Sequence, residues 1–171
     1  MTRAYQLRTS FLMYTVISLC TLVSLFGVSP VWAARITRPT VQCFAEASRA
    51  FHLPPLVLPA LWSNERGAPG QIVSDPNGTA DYGPMQINSL WLPILRPLGI
   101  TPARLADDGC LNVWVAAALL SRERERAGGN LWRAIGWYHS RTPALARAYR
   151  NRLLAHLRGA LARLESSEGA R

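Results

Sequence analysis

The sequence predicts a mainly α domain of the α+β class, with a small irregular or β-hairpin insert after the second helix. Three observations predict it. From Thr40 onward, apolar residues recur at helical spacing between cap residues. Residues 67–88 break that rhythm with Gly67, Pro69, Gly70, Asp75-Pro76-Asn77-Gly78 and Gly83, a density of turn formers foreign to a helix. The stretch from Cys110 to Ala127 begins apolar nearly all round, as a helix at the centre of a small domain does. A chain of 171 residues has room for one domain. Its 49% apolar and 17% charged residues suit a buried core and exclude disorder.

Each element has a local reason. Thr40 caps a helix from Val41 to about Phe51, with Val41, Phe44, Ala45 and Phe51 on or near one face and the small Ser48 among them. Leu53-Pro54-Pro55 ends that helix and opens the second, since proline suits a first turn. The second helix runs to about Arg66; Pro59 is placed to bend it and Gly67 to stop it. Asn77-Gly78 is a strong turn signal within the insert. Ser89 reads as the cap of a short helix ending near Gly99, and Thr101-Pro102 opens another. Gly128-Gly129 ends the long helix and Asn130 caps its successor. Thr142-Pro143 opens the last helix, where Tyr149, Leu153, Leu157, Leu161 and Leu164 recur near one face. Arg147, Arg150, Arg152, Arg158 and Arg163 give that helix a basic, wet side; contact with an anionic membrane or wall polymer is the sharper alternative. Arg122-Glu123-Arg124-Glu125-Arg126 reads as a solvated face with cross-turn ion pairs. Trp62, Trp114 and Trp137 read as core, while Tyr82, Trp91 and Tyr138 are candidates for stacking on a ligand.

The first 33 residues have a separate character. Arg3 and Arg8 precede an apolar run from Phe11 to Val28, and Ser29-Pro30-Val31-Trp32-Ala33 follows. This is a signal-peptide pattern with cleavage after Ala33; the run is long, so an uncleaved anchor is the alternative. The predicted organisation is a leader at 1–33, a main domain at 34–143, and a basic C-terminal helix at 144–171 packed on or extending it. The rest of the chain is then periplasmic or exported, or held at the inner membrane if the leader stays. A net charge of +9, carried by 19 Arg and no Lys, suggests polyanionic partners. Export makes nucleic acid an unsuitable one, and a membrane is a partner only through an uncleaved leader. Cys20 departs with the leader; no small residue precedes it as lipid attachment requires. Cys43 and Cys110 remain, an even count that reads as one disulfide in an oxidising compartment, with two buried thiols as the alternative. No cofactor is expected: there is no Cys/His metal-ligand spacing and no phosphate-binding glycine loop.

The residue that suggests chemistry is Glu65. It follows Leu61 by four positions and Trp62 by three, on or beside the apolar stripe, and it lies in the last turn near the negative end of the helix dipole. Both effects disfavour its charged form and raise its pKa, as a general acid near neutral pH requires. Downstream come Gly78-Thr79-Ala80-Asp81-Tyr82-Gly83-Pro84-Met85-Gln86-Ile87-Asn88 and then Tyr138-His139-Ser140. In this order the motifs resemble the lysozyme-like lytic transglycosylases, nearest the small exported members that accompany conjugation, type III and type IV secretion systems. The resemblance spans about Cys43 to Pro143.

The resemblance implies a lysozyme-like fold and a peptidoglycan-cleaving lyase. Glu65 would be its single acid/base, cutting between N-acetylmuramic acid and N-acetylglucosamine to leave a 1,6-anhydro end. The candidate substrate-binding residues are Met85, Gln86, Asn88, Tyr138, Asp81 and Tyr82; the partners are peptidoglycan strands and secretion or conjugation machinery. Two residues depart from the family pattern. Arg66 stands where a serine usually follows the glutamate, and His139 stands where asparagine usually follows the tyrosine. Asp81 also resembles the second carboxylate of animal-type lysozymes, so hydrolysis by Glu65 and Asp81 is an alternative; the plainer reading is that Asp81 bonds its own turn. A glycan-binding subunit without turnover is the other alternative.

Overall fold

The computed structural model describes residues 35–168; the predicted leader and Cys20 lie outside them. Seven helices and one small sheet follow in the order α1 (Val41–Ala50), α2 (Val57–Glu65), β1 (Ile72–Ser74), β2 (Ala80–Tyr82), β3 (Ile87–Asn88), α3 (Leu92–Leu95), α4 (Pro102–Asp107), α5 (Gly109–Arg126), α6 (Leu131–His139) and α7 (Pro143–Glu168). Single turns of 3-10 helix flank α3 at Ser89–Trp91 and Arg96–Leu98. The result is the predicted mainly α, lysozyme-like domain with a three-strand insert after the second helix.

The helices start where polar caps satisfy their first N–H groups. Thr40 accepts from Cys43 N at 3.2 Å, and Thr101, Asp108 and Asn130 do the same for α4, α5 and α6. The structure shifts three expected boundaries. Pro54 to Leu56 form a turn rather than the start of α2, with Val57 N bonded to the Pro54 carbonyl. Asn88, not Ser89, caps the turn before α3 by accepting from Leu90 N at 3.0 Å; Ser89 Oγ accepts from Ala80 N instead. The long helix begins one residue before Cys110.

Helix α5 is the centre. Val113, Val115, Ala116, Ala117, Leu119 and Leu120 are buried on it, and α1, α4, α6 and β3 pack around it. Burying one such aliphatic side chain is worth about 1.5–3 kcal/mol. Cys43 on α1 and Cys110 on α5 form a disulfide, with Cα atoms 5.5 Å apart. Phe44 stacks on Trp62 at 5.5 Å, joining α1 to α2. Val41, expected on the buried face, is 87% exposed. The last helix belongs to the same core through buried Ala146, Tyr149 and Leu153; Leu157 is partly buried. The side chains of Leu161, Leu164 and Arg163 lie outside those described.

The sheet is antiparallel in the order β1-β2-β3, with Val73 opposite Asp81 and Asp81 opposite Asn88. Its first turn spans Asp75 to Thr79: Gly78 N donates to Asp75 O at 3.0 Å and Asp75 N to Thr79 O at 2.8 Å. Strand β3 rests on α5, which sets one wall of a cleft against the helices.

Candidate active site

Glu65 is the last residue of α2. Leu58, Ala60 and Leu61 anchor that helix in the core, so its C-terminal residue is carried to the cleft. Arg66 ends the helix in the left-handed region, at φ 57°, and its N–H bonds to Trp62 O. For a side chain other than glycine this conformation costs about 1–2 kcal/mol. The stop is therefore at Arg66, not at Gly67 as its residue type suggests. Gly67 serves another purpose. A Cβ there would collide with the carbonyls of Gly83 and Pro84. Only glycine lets the helix end approach the turn that carries Gln86. Trp62 Nε1 donates to Gly67 O at 3.0 Å and fixes this approach. Arg66 is left exposed.

The hydroxyl of Tyr149, on α7, donates to Glu65 Oε1 at 2.5 Å. The His139 ring stacks on Tyr149, with centroids 4.9 Å apart and planes 10° apart. The Arg152 guanidinium lies 5.7 Å from the same tyrosine ring. Burial pushes the Glu65 carboxyl up to about 7, against the hydrogen bond from Tyr149 and the charge of Arg152, and with help from Asp81. At neutral pH the group is then close to half protonated, poised to give a proton or take one. Burial also raises Tyr149 and Tyr138, and the charge of Glu65 adds to both, so each phenol keeps its proton. Burial, assisted by Arg152 and opposed by Asp81, lowers His139.

The sheet side of the cleft is built on Asn88. Its Nδ2 lies 2.9 Å from Asp81 Oδ1, 3.0 Å from Thr79 Oγ1 and 3.3 Å from Asp75 Oδ2. Asp81 is therefore held by the facing strand rather than by its own turn. Its pKa is raised, first by burial and then by Asp75, against the Asn88 hydrogen bond and His139. Gln86, at φ 48°, donates from Nε2 to Gly83 O at 2.8 Å. Behind this surface Asn112, fully buried on α5, accepts from Met85 N at 2.7 Å and donates to Tyr82 O and Leu105 O at 2.9 and 2.8 Å. Tyr138 O–H donates to Met85 O at 2.9 Å and ties α6 to the same segment.

These walls enclose a cleft of about 810 Å³, within the range of ligand sites. Glu65, Asp81, Gln86, Asn88 and Tyr138 line it, together with Trp91, Trp137, Glu123 and Arg141. At the α5–α6 side Glu123, 3% exposed, accepts from Arg126 Nη1 at 2.9 Å and Arg141 Nη2 at 2.7 Å. The solvated face expected for residues 122–126 is thus interrupted by a buried ion-paired acid. Arg124 also turns inward, bonding the His52 carbonyl at 2.8 Å.

A model of the transglycosylase SLT domain matches residues 42–156. The chain belongs to that family. It is a peptidoglycan lytic transglycosylase. Invasion protein IagB of Salmonella typhimurium is 31% identical to it over 118 residues, covering 68% of this chain and 73% of the relative. Protein IpgF of Shigella flexneri is 35% identical over 102 residues, covering 59% and 66%. A peptidoglycan-binding-like protein of Escherichia coli O157:H7 is 30% identical over 106 residues, covering 57% and 63%.

Of the residues the sequence nominated in this transglycosylase, Glu65, Asp81, Gln86, Asn88 and Tyr138 come together in the cleft. Met85 and Tyr82 do not reach its wall: their side chains are 0% and 8% exposed. Trp91 lines the cleft as a stacking candidate should, and so does Trp137, which had read as core. Trp114, also read as core, is 37% exposed with its edge against Phe51. Sequence reasoning missed Tyr149, Asn112 and Glu123. For Asn112 and Glu123 there was a signal, a polar side chain inside or beside an apolar helical run. Tyr149 looked like an ordinary member of the α7 stripe, and nothing local marked it. Among the described residues no three His, Cys, Asp or Glu side chains gather as a metal site.

Proposed function

We propose that Glu65 is the single acid/base of a non-hydrolytic cleavage of the β-1,4 bond between N-acetylmuramic acid and N-acetylglucosamine. The observation that carries this reading is one carboxyl in the cleft, held near neutrality by burial and bonded to Tyr149 O–H. Protonated Glu65 gives its proton to the glycosidic oxygen as the C1–O bond breaks. The carboxylate then takes the proton of the muramic C6 hydroxyl as that oxygen closes on C1. The acid recovers the proton it gave and no water is consumed. Tyr149 steadies the charged form that appears between the steps. Trp91, Trp137, Gln86, Asn88 and Tyr138 supply rings and hydrogen-bonding groups to seat the strand.

The alternative in which Asp81 completes a hydrolytic pair draws less support. Asp81 is engaged by Asn88, which ties its carboxyl to the facing strand. The chain works on the wall from the periplasmic side, and it opens the wall locally for a secretion or conjugation apparatus. That role is supported by its likeness to a protein named for invasion. Mass spectrometry of the soluble products from purified peptidoglycan tests the chemistry. Anhydro-muropeptides are expected; reducing ends would overturn the proposal in favour of hydrolysis, and no products would favour a binding subunit.

A further inference from the structure

The α5–α6 side of the cleft carries a second constellation that proton transfer at Glu65 does not use. Arg141 follows α6 and lies in the cleft wall. Glu123 Oε2 holds its Nη2 at 2.7 Å, and its guanidinium carbon lies 5.0 Å from the centroid of Trp137. Held at one nitrogen and stacked on a ring, a guanidinium is a pre-oriented fork for a carboxylate. Its side chain is nevertheless 56% exposed. Glu123 does not neutralise the place. Both its oxygens are occupied, by Arg126 and Arg141, and two guanidiniums against one carboxylate leave a net positive cluster. Arg122 adds another cation 5.5 Å from the Trp91 ring, which lines the same cleft. The facing side has the opposite sign, with Asp75 and Asp81 from the sheet and Glu65 from the end of α2. Sugar rings are neutral and need no such polarity. A carboxylate branching from the strand would be repelled by the acidic side and drawn to Arg141.

We propose that Arg141, set by Glu123 and Trp137, is a subsite for carboxylates that branch from the muramic residues of the strand. This rests on the reading that the cleft takes a peptidoglycan strand. On a stem-free muramic residue the free lactyl carboxylate supplies that chemistry; where a stem is attached the lactyl group is an amide, and the carboxylates of the stem supply it instead.

The test is the affinity of the full chain carrying Glu65→Gln, which prevents turnover, for three soluble oligosaccharides of equal length. One is a chitooligosaccharide without carboxylates, one a muramic strand freed of stems, and one a strand bearing them. The carboxylate-bearing strands are expected to bind about tenfold tighter than the neutral one at low salt. Adding Arg141→Gln should abolish that preference, while Arg141→Lys should keep part of it. A preference confined to the stem-free strand assigns the free lactyl carboxylate, one confined to the third ligand assigns the stem, and one shared by both assigns a subsite that takes either carboxylate. Equal binding of all three, binding of none, or a preference that survives Arg141→Gln overturns the subsite. Turnover by the unmodified chain is measured alongside. Absence of product with the preference intact overturns the catalytic reading and leaves the subsite standing.

Discussion

Glu65 and Glu123 line the same cleft, and both are drawn from water by helices packed on α5 or by α5 itself. Their partners differ. Glu65 has a neutral phenol as its hydrogen-bond donor, with the guanidinium of Arg152 at a remove. Glu123 has two guanidiniums in direct contact. A neutral donor stabilises a carboxylate only in part, so burial wins at Glu65 and the proton stays available. Two cations against one acid make an ion pair, which holds an arginine in place. At Glu65 burial favours the neutral acid, and the hydrogen bond from a neutral phenol does not reverse it.

Replacing Glu65 by Gln is the sharpest way to test the first half of that contrast. Turnover of peptidoglycan is expected to fall by about 10³-fold or more, since the only proton donor in the scheme is gone. Circular dichroism should show the fold intact, because Gln still accepts from Tyr149. The same variant has a stability signature whose sign follows from linkage. The folded pKa of about 7 exceeds the ordinary 4.5, so the unfolded state binds fewer protons between those values and stability falls as pH rises through them. The cost, complete above pH 7, is about 3 kcal/mol. Gln has no such cost. Glu65→Gln should match the parent in thermal unfolding at pH 4 and exceed it by several degrees at pH 8. A constant difference across that range would mean that Glu65 is not held near neutrality.

The ion-paired acid should answer in stability rather than in chemistry. Glu123→Ala leaves Arg141 and Arg126 without their shared partner, next to a helix that fills the core. Both arginines keep access to water, so the loss is that of charge-assisted hydrogen bonds to a buried acid, about 1.5–3 kcal/mol, and urea unfolding should register a loss of that size. A loss below about 0.5 kcal/mol would place the pair among solvated surface bridges.

The contrast also marks what the sequence could convey. The helices, their caps at Thr40, Thr101 and Asn130, and the turn at Asn77-Gly78 were legible because their signals lie within a few residues. Glu65 was legible for the same reason: its stripe and the end of its helix are local. Arg66 was not read as the helix stop, because the left-handed conformation is uncommon for an arginine and the adjacent glycine is required instead by the close approach of Gly67 to Gly83 and Pro84. Tyr149 was invisible as a site residue. It lies 84 positions from Glu65 and reaches it only because α7 packs on α2. Glu123 was read as a wet residue in an alternating charged run, and nothing in that run announces Arg141, 18 positions on.

Tyr149→Phe isolates the neutral donor and should have the smallest effect of the three. The ring, its stacking on His139 and its place in the core are kept; one hydrogen bond goes, at about 1 kcal/mol of stability. The kinetic consequence has a defined direction. The Tyr149 bond lowers the Glu65 pKa against burial, so its removal lets burial raise that pKa further. The alkaline limb of the kcat/KM profile, set by loss of the Glu65 proton, should move to higher pH, while the maximum rate falls because the carboxylate formed during cleavage has lost its donor. A limb that stays in place, with only the rate reduced, would assign Tyr149 to positioning the carboxyl without tuning it. A limb that moves toward acid would mean that the phenol favours the protonated acid instead, and the division between the two glutamates would then need another cause.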